Sequence, residues 1–463
     1  MPRVLAAPPV LVARQLSLAP DPLAIAARLR DTGADRIALL HASDRTPGAF
    51  SRYSFVACDP DRESRALDPL VDDADFPRAA AMGAFRCVPR WIGVLPYDAF
   101  RHLERPTWVC HDTRPAPLID RPLWLRYPAV VVVDHTEGRV FAVGASKEHV
   151  TNLVLQIGLA PLAKSHPTRV EVAEAEPPAA HTDRIRVAKK LIARGDLYQV
   201  NLARRLRVTL VRGGPLDMYA CMSAAAPSPF GACLQLGRDL SIVSTSPELL
   251  LRAETCARDG RHCAFTNSSI NSYSFERLYT CPIKGTRPRG AGAFEDRRLA
   301  IELDEDLKEN AELTMIIDVE RNDLGRVAKV GSVRVIRGPD VVTHRTVHHR
   351  EALLTAYTKK SASRRDVLEA MLPSGSVTGA PKVRAMEVIA NLEAHRRGLY
   401  TGGFGYMAYD SSMTLAMAIR TVVLQGSDGE YFTGGGIVAD SDPDRELEET
   451  RWKAIQLEKV ARS

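Results

Sequence analysis

The apolar positions of this chain change period repeatedly, and each change marks an element. In DPLAIAARLRDTG (21–33), in 147–158, in HTDRIRVAKKLIARG (181–195) and in LKENAELTMIIDVERNDLGRV (307–327) they recur every three or four residues, which predicts helices. The third would bury Ile185, Ala188 and Ile192. The fourth would bury Leu307, Ala311, Met315 and Ile316, leaving Glu309 and Glu312 as i,i+3 neighbours on another face. IALLHASD (37–44), RYSFVACDP (52–60), the start of WIGVLPYDAFRHLE (91–104) and VGSVRVI (330–336) read as strands. LRYPAVVVVDHTEGRVFAVGA (125–145) reads as a hairpin turning near Glu137-Gly138. Segments 227–236 and 240–253 read as an antiparallel pair, with a bend at Pro247 that exposes Glu248. Segments 398–410 and 414–424 predict another buried hairpin, with Arg420 inside an apolar strand. An unpaired buried arginine is costly, so Arg420 needs an anion, either a structural one or a substrate carboxylate.

Two small-residue loops each run into a helix near the C-terminal end. In PSGSVTGAPKVRAMEVI (373–389), hydroxyls and Pro381 deliver the chain to a helix start. In GGGIVADSDPDRELEET (434–450), Gly435 and Gly436 leave backbone amides open to an anion. Asp442-Pro443 then opens a helix with Glu446, Glu449 and Lys453 on one face. Residues 163–180 are loose and polar, which divides the chain into an N-terminal lobe (1–165), a linker (166–182) and a catalytic region (183–463). Residues 254–280 break the pattern and read as a long loop.

Composition narrows the picture. With 463 residues, 45% hydrophobic and 25% charged, the chain has the make-up of a globular protein and the length for a large core. A net charge of +6, spread among scattered arginines without aromatic interleaving, argues against nucleic acid and suits an anionic small molecule. The eight cysteines form no CxxC pair, and the longest apolar run, near 129–133, is too short to span a bilayer. A cytoplasmic protein with reduced thiols is expected.

Glu309 and Glu312 on one helix, and Glu446 and Glu449 on another, offer carboxylates that suit Mg²⁺ if the helices face each other; otherwise they are two solvated, salt-bridged helices. Lys284, in the rigid stretch Pro282-Ile283-Lys284-Gly285-Thr286, suits a nucleophile where desolvation keeps it neutral, Glu248 an acid, and His349 an orienting group. HRTVHH (344–349) lacks zinc spacing, and neither a Walker A nor a GxGxxG pattern is present.

Seven blocks, GDLYQVNL (195–202), SPEL (246–249), PIKGTRPRG (282–290), KENAELTMIIDVERNDLGRV (308–327), GSVTGAPKVRAMEVI (375–389), AIRT (418–421) and GGGIVADSDP (434–443), stand in one order. Together they resemble the chorismate-utilising enzymes, most of all component I of aminodeoxychorismate synthase, strongly over about 183–455. The resemblance implies an α/β (α+β) fold of two facing antiparallel sheets flanked by helices, in which the two lobes are halves of one unit. It implies chorismate bound through Mg²⁺, with Glu312 and Glu449 as ligands and Glu309 and Glu446 supporting the water shell. Arg420 and Tyr400 would hold substrate carboxylate with the amides of Gly435 and Gly436, Lys453 would lie in the binding site, and Ser376 and His349 would sit near the ring.

Within that family, enzymes that add water carry a general-base lysine where this chain has Gln199, so Gln199 points to ammonia. Anthranilate synthases usually have alanine at the position of Lys284. A lysine there resembles the aminodeoxychorismate enzymes, in which it attacks C2 as the C4 hydroxyl leaves, assisted by Glu248, before ammonia enters at C4. The expected activity is therefore amination of chorismate to 4-amino-4-deoxychorismate, with anthranilate synthase as the alternative. Ammonia would come from glutamine through a separate amidotransferase subunit. Departures from the family pattern are the 254–280 insertion, about twenty residues long, Arg350 after the histidine, Ser411 and Thr414.

Overall fold

The computed structural model describes residues 11–44, 51–73, 85, 87–100, 112–159, 166–255 and 275–461. Among them the strands form two antiparallel sheets, of twelve and ten strands. The larger sheet alternates strands from both ends of the chain: Ala38–His41 pairs with Phe230–Gln235, and Leu240–Ser246 with Thr421–Gln425. The smaller sheet likewise joins Pro89–Leu95 to Gly403–Ala408. Val130, Val132 and Phe55 of one sheet pack on Ile92, Val94, Leu125 and Phe404 of the other, so the inner faces make one core. Helices cover the outer faces; Pro22–Asp31 and Lys147–Leu159 bury Ile25, Leu29, Val150 and Leu153 against the larger sheet.

Two strands cross from one sheet to the other, and this crossing organises the site. The strand Leu240–Ser246 lies in the larger sheet and its continuation Leu249–Glu254 in the smaller. Met413–Met417 and Thr421–Gln425 make the reverse passage. At the bends, the Met417 amide donates to the Glu248 carbonyl at 3.0 Å and the Thr245 amide to the Arg420 carbonyl at 3.1 Å. Arg420 therefore sits in a break with φ 51°, not inside a strand, and Glu248 is buried at its bend rather than exposed.

Other expectations change in the structure. Residues read as loose linker contain the strand Arg169–Glu174, whose Val170 and Val172 alternate with charged neighbours and which pairs with Gln199–Arg212. The helix Leu307–Val327 buries Leu313, Ile316, Ile317, Glu320 and Leu324, whereas Leu307 is exposed. Its packed face is set by the neighbouring 374–378 turn, which approaches so closely that a Cβ on Gly375 would meet Val319 Cγ1 at 2.1 Å. The 256–274 part of the insertion lies outside the described residues. Its flanks pair as a hairpin, Leu249 with Cys281 and Glu254 with Arg277, so the added length falls at a hairpin tip. Among the described residues five cysteines are free thiols, and no helix is long and apolar enough to cross a membrane.

Candidate active site

Glu248 lies in the bend of the first crossing and is 5% exposed. Its Oε1 accepts from Ser376 Oγ at 2.8 Å. Burial pushes this carboxyl up to about 7, although the Ser376 hydroxyl, Lys284, the Ile283 amide and Arg420 all favour the ionised form. Ser376 is held by the short helix Gly375–Thr378, which Ser374 caps through the Ser376 amide at 3.0 Å. Arg420 makes no side-chain hydrogen bond or ion pair among the described residues. Burial depresses its pKa, with Tyr431 and Glu248 acting in the other direction.

Lys284 stands on the strand Ile283–Pro288, in register with Arg350. One residue on, Gly285 has φ +78°, and a Cβ there would come within 2.8 Å of Leu303 Cδ1 and 3.2 Å of Glu309 Oε2. His349, paired with Thr286, is fully buried with its Nδ1 2.9 Å from Thr286 Oγ1. Burial first, then the positive charges of Arg420 and His344, hold it well below the usual histidine range, so it is a neutral imidazole. His344 itself is raised to about 9: burial opposes its charge, but Asp44 at 2.9 Å and Glu351 at 3.7 Å outweigh burial. His348 is engaged separately by Asp296 at 3.0 Å.

The opposite wall comes from the strand Asp428–Ile437, where Gly435 pairs with Leu202 and Gly436 with Asn201. A Cβ on Gly436 would lie 2.1 Å from Gln199 Nε2 and 3.7 Å from Lys284 Nζ, which brings these two side chains to one glycine surface. Gln199 is buried and its Oε1 has no hydrogen-bond partner among the described residues. Tyr400 stacks on Phe432 at 5.4 Å in a small cluster with Ala203 and Ile419, the residue before Arg420.

The acids of the two helices come near one another through a shared lysine. Asp306 caps Leu307–Val327 through the Lys308 and Glu309 amides at 3.0 and 3.1 Å, and Asp442 caps Pro443–Ala461 through the Asp444 and Arg445 amides at 3.1 and 2.9 Å. The acids thus stand in the early turns, where amide dipoles favour negative charge. Lys308 bridges them, 3.9 Å from Glu312 and 3.8 Å from Glu446. Burial, then Glu312 and other acids, raises Glu309; burial raises Glu446 despite the Ser441 hydroxyl at 2.7 Å, with Glu449 adding to the rise. Glu449 is lowered, because Lys453 at 2.6 Å, Lys284 and Lys308 outweigh its burial. Lys453 also donates to the Gly434 carbonyl at 2.9 Å. Among the described residues no three histidine, cysteine, aspartate or glutamate side chains converge at metal-ligating spacing, and Lys308 is the cation these acids share. Crowded, mutually repelling carboxylates are nonetheless the donors a hard divalent cation takes, so the set fits Mg²⁺ in chemistry.

Sequence reasoning missed Lys308, although its i,i+4 spacing to Glu312 was visible. It also missed Glu320, whose partner Ser374 comes from a separate segment. Of the departures, Arg350 donates to the Leu303 carbonyl and to Asp304, pinning the preceding helix. The Ser411 carbonyl accepts from Arg364 at 2.6 Å. Thr414 lines a cavity of about 300 Å³ between the sheets with Leu40, His41, Phe230, Arg252 and Tyr406, and none of the catalytic candidates lines it.

Residues 51–459 match the chorismate binding enzyme family, and the chain belongs to it. Anthranilate synthase component 1 of Thermus thermophilus is 42% identical over 61% of this chain and 56% of its own length. Anthranilate synthase component 1 1 of Haloarcula marismortui is 35% identical over 85% of this chain and 73% of its own length. Among solved structures, anthranilate synthase component I from Streptococcus pneumoniae superposes with a TM-score of 0.72 at 27% identity, covering 88% of this chain and 92% of that one. MenF, the menaquinone-specific isochorismate synthase of Escherichia coli, shares the fold at TM-score 0.69 and 18% identity, over 98% and 95% of the two chains. The protein is thus a chorismate-utilising enzyme with the two-sheet fold its motifs imply.

Proposed function

We propose that this enzyme adds ammonia to chorismate. The observation that carries this reading is Gln199: a buried carboxamide faces the same glycine surface as Lys284, and a carboxamide cannot deprotonate water. Arg420, with no side-chain hydrogen bond or ion pair among the described residues, suits a substrate carboxylate, and we assign Tyr400 and the Gly435 and Gly436 amides to the same ligand. Glu248 carries its proton near neutral pH and gives it to the departing hydroxyl, with Ser376 orienting the carboxyl. Glu312 and Glu449 would hold Mg²⁺, with Glu309 and Glu446 around it, and bound there it would neutralise substrate carboxylate.

On the product, the relatives support anthranilate over 4-amino-4-deoxychorismate, since those reported bear the anthranilate synthase name. One specific observation favours the second product. Lys284 Nζ lies at the Gly436 surface beside Gln199, and we assign it the attack on the ring. Without a lysine adduct, ammonia adds directly. Separate amidotransferase subunits deliver ammonia in the resembling enzymes, and we expect one here.

Mass spectrometry of products from chorismate, Mg²⁺ and excess ammonium, for wild type and Lys284→Ala, separates the readings. Anthranilate that survives the substitution supports the first product. Aminodeoxychorismate that disappears with it supports the second. Isochorismate formed without any amine product overturns the ammonia reading.

A further inference from the structure

Behind Ser376 lies a second buried carboxyl that the reaction as described does not use. Glu320, on the packed face of Leu307–Val327, is 1% exposed. Its Oε1 accepts from Ser374 Oγ at 2.5 Å, while its Oε2 has no hydrogen-bond partner among the described residues. Ser374 Oγ in turn accepts from the Ser376 amide at 3.0 Å, and Ser376 Oγ donates to Glu248 at 2.8 Å. The chain of contacts is tight at its base, because Gly375 lies against Val319 with no room for a Cβ. Lys382 secures the same turn from the next helix, donating to the Ala370 and Pro373 carbonyls at 3.1 Å each and pairing with Asp323 at 2.7 Å.

We propose that Glu320 is a positioning residue for Glu248: through Ser374 and Ser376 it aims the hydroxyl at the catalytic carboxyl. This rests on the reading of Glu248 as the acid. A serine hydroxyl offers one proton, and Ser374 commits it to Glu320, which leaves the oxygen free to accept from the Ser376 amide and fix that residue's backbone. The charged groups facing Glu320 are Asp323 on its own helix, Lys382 on the neighbouring helix and Glu248 across the turn; those facing Glu248 are Lys284 and Arg420. Burial, then Asp323, holds Glu320 up to about 8, and a negative Glu248 adds to that. Glu248, at about 7, thus ionises before Glu320, so the carboxyl that holds Ser374 is still neutral while the acid titrates.

The test is the pH dependence of kcat for chorismate consumption, a readout independent of which amine forms. Glu320→Gln keeps an acceptor for Ser374 but never ionises. It should retain the fold and the wild-type alkaline limb of kcat, whereas Glu320→Leu, which gives Ser374 no acceptor and frees Ser376, should move that limb to higher pH by about half a unit or more, because the Ser376 hydroxyl favours the ionised Glu248. Ser374→Ala should lower kcat by about tenfold or more with KM nearly unchanged, since it disturbs Glu248 without touching substrate. A purely structural Glu320 would lower melting temperature or kcat uniformly in Glu320→Leu and leave the midpoint where it was; that outcome, or wild-type kinetics in Glu320→Leu and Ser374→Ala, overturns the inference. Glu248→Gln run in parallel keeps the two claims apart. If it stays active, the acid assignment itself fails. If it is inactive while Glu320→Leu keeps the wild-type midpoint, the Glu320 inference alone fails.

Discussion

At the scale of single residues, burial sets the chemistry. Glu248 holds a proton to about 7, so turnover that needs the protonated acid should fall as pH rises through that value. Glu248→Gln should cost about 100-fold or more in kcat. The same substitution should raise the melting temperature at pH 8 but not at pH 4, since an acid with a raised folded pKa costs stability as pH climbs from its unfolded value of about 4.3 through its folded value of about 7. A variant less stable than wild type at pH 8 would contradict this. His344 gives the mirror case: its folded pKa of about 9 exceeds the ordinary value, so its ion pairs stabilise the protein fully below about 6.5 and fade as pH passes 9. Asp44→Asn should remove about 1–3 kcal/mol of stability at pH 7 and far less at pH 10, measured by denaturant unfolding. Glu446→Gln should raise the Mg²⁺ concentration giving half-maximal activity by about tenfold or more; an unchanged requirement would detach this acid from the cation.

Among elements, two glycines separate stability from activity. Gly375→Ala drives a methyl into Val319 between two packed elements and should cost about 1–3 kcal/mol. Gly436→Ala meets only the end of the Gln199 side chain, so thermal unfolding should hardly change while turnover falls. Equal melting temperatures for wild type and Gly375→Ala would refute the first. The periodic helices and alternating strands were legible in sequence because their patterns are local. The two crossings were not: an apolar run looks alike whether it stays in one sheet or changes sheets at Pro247 or Arg420. For the same reason the buried face of Leu307–Val327 was misread, since its partner, the turn at Gly375, is distant in sequence. The candidate site residues were legible through block motifs, whereas Lys308, Glu320 and Ser374 gain meaning only from what surrounds them.

For the whole molecule, the interleaved sheets make the halves interdependent. Ala38–His41 completes an edge of Phe230–Gln235, so residues 183–463 expressed alone would bare that edge and half the core, and should aggregate. The insertion is the opposite case. Because Glu254 and Arg277 already pair, replacing 256–274 by a short glycine turn should leave kcat within about twofold; a large loss would give the segment a part in catalysis.

That hairpin tip also divides the catalytic set. A break there leaves Gln199 and Glu248 on one piece, and Lys284, Arg420 and all four acids on the other. Neither piece can turn over chorismate by itself, yet the cut ends belong to strands that zip together across Glu254 and Arg277. Activity recovered on mixing two separately produced fragments would therefore report how readily those bared strands find each other before they aggregate.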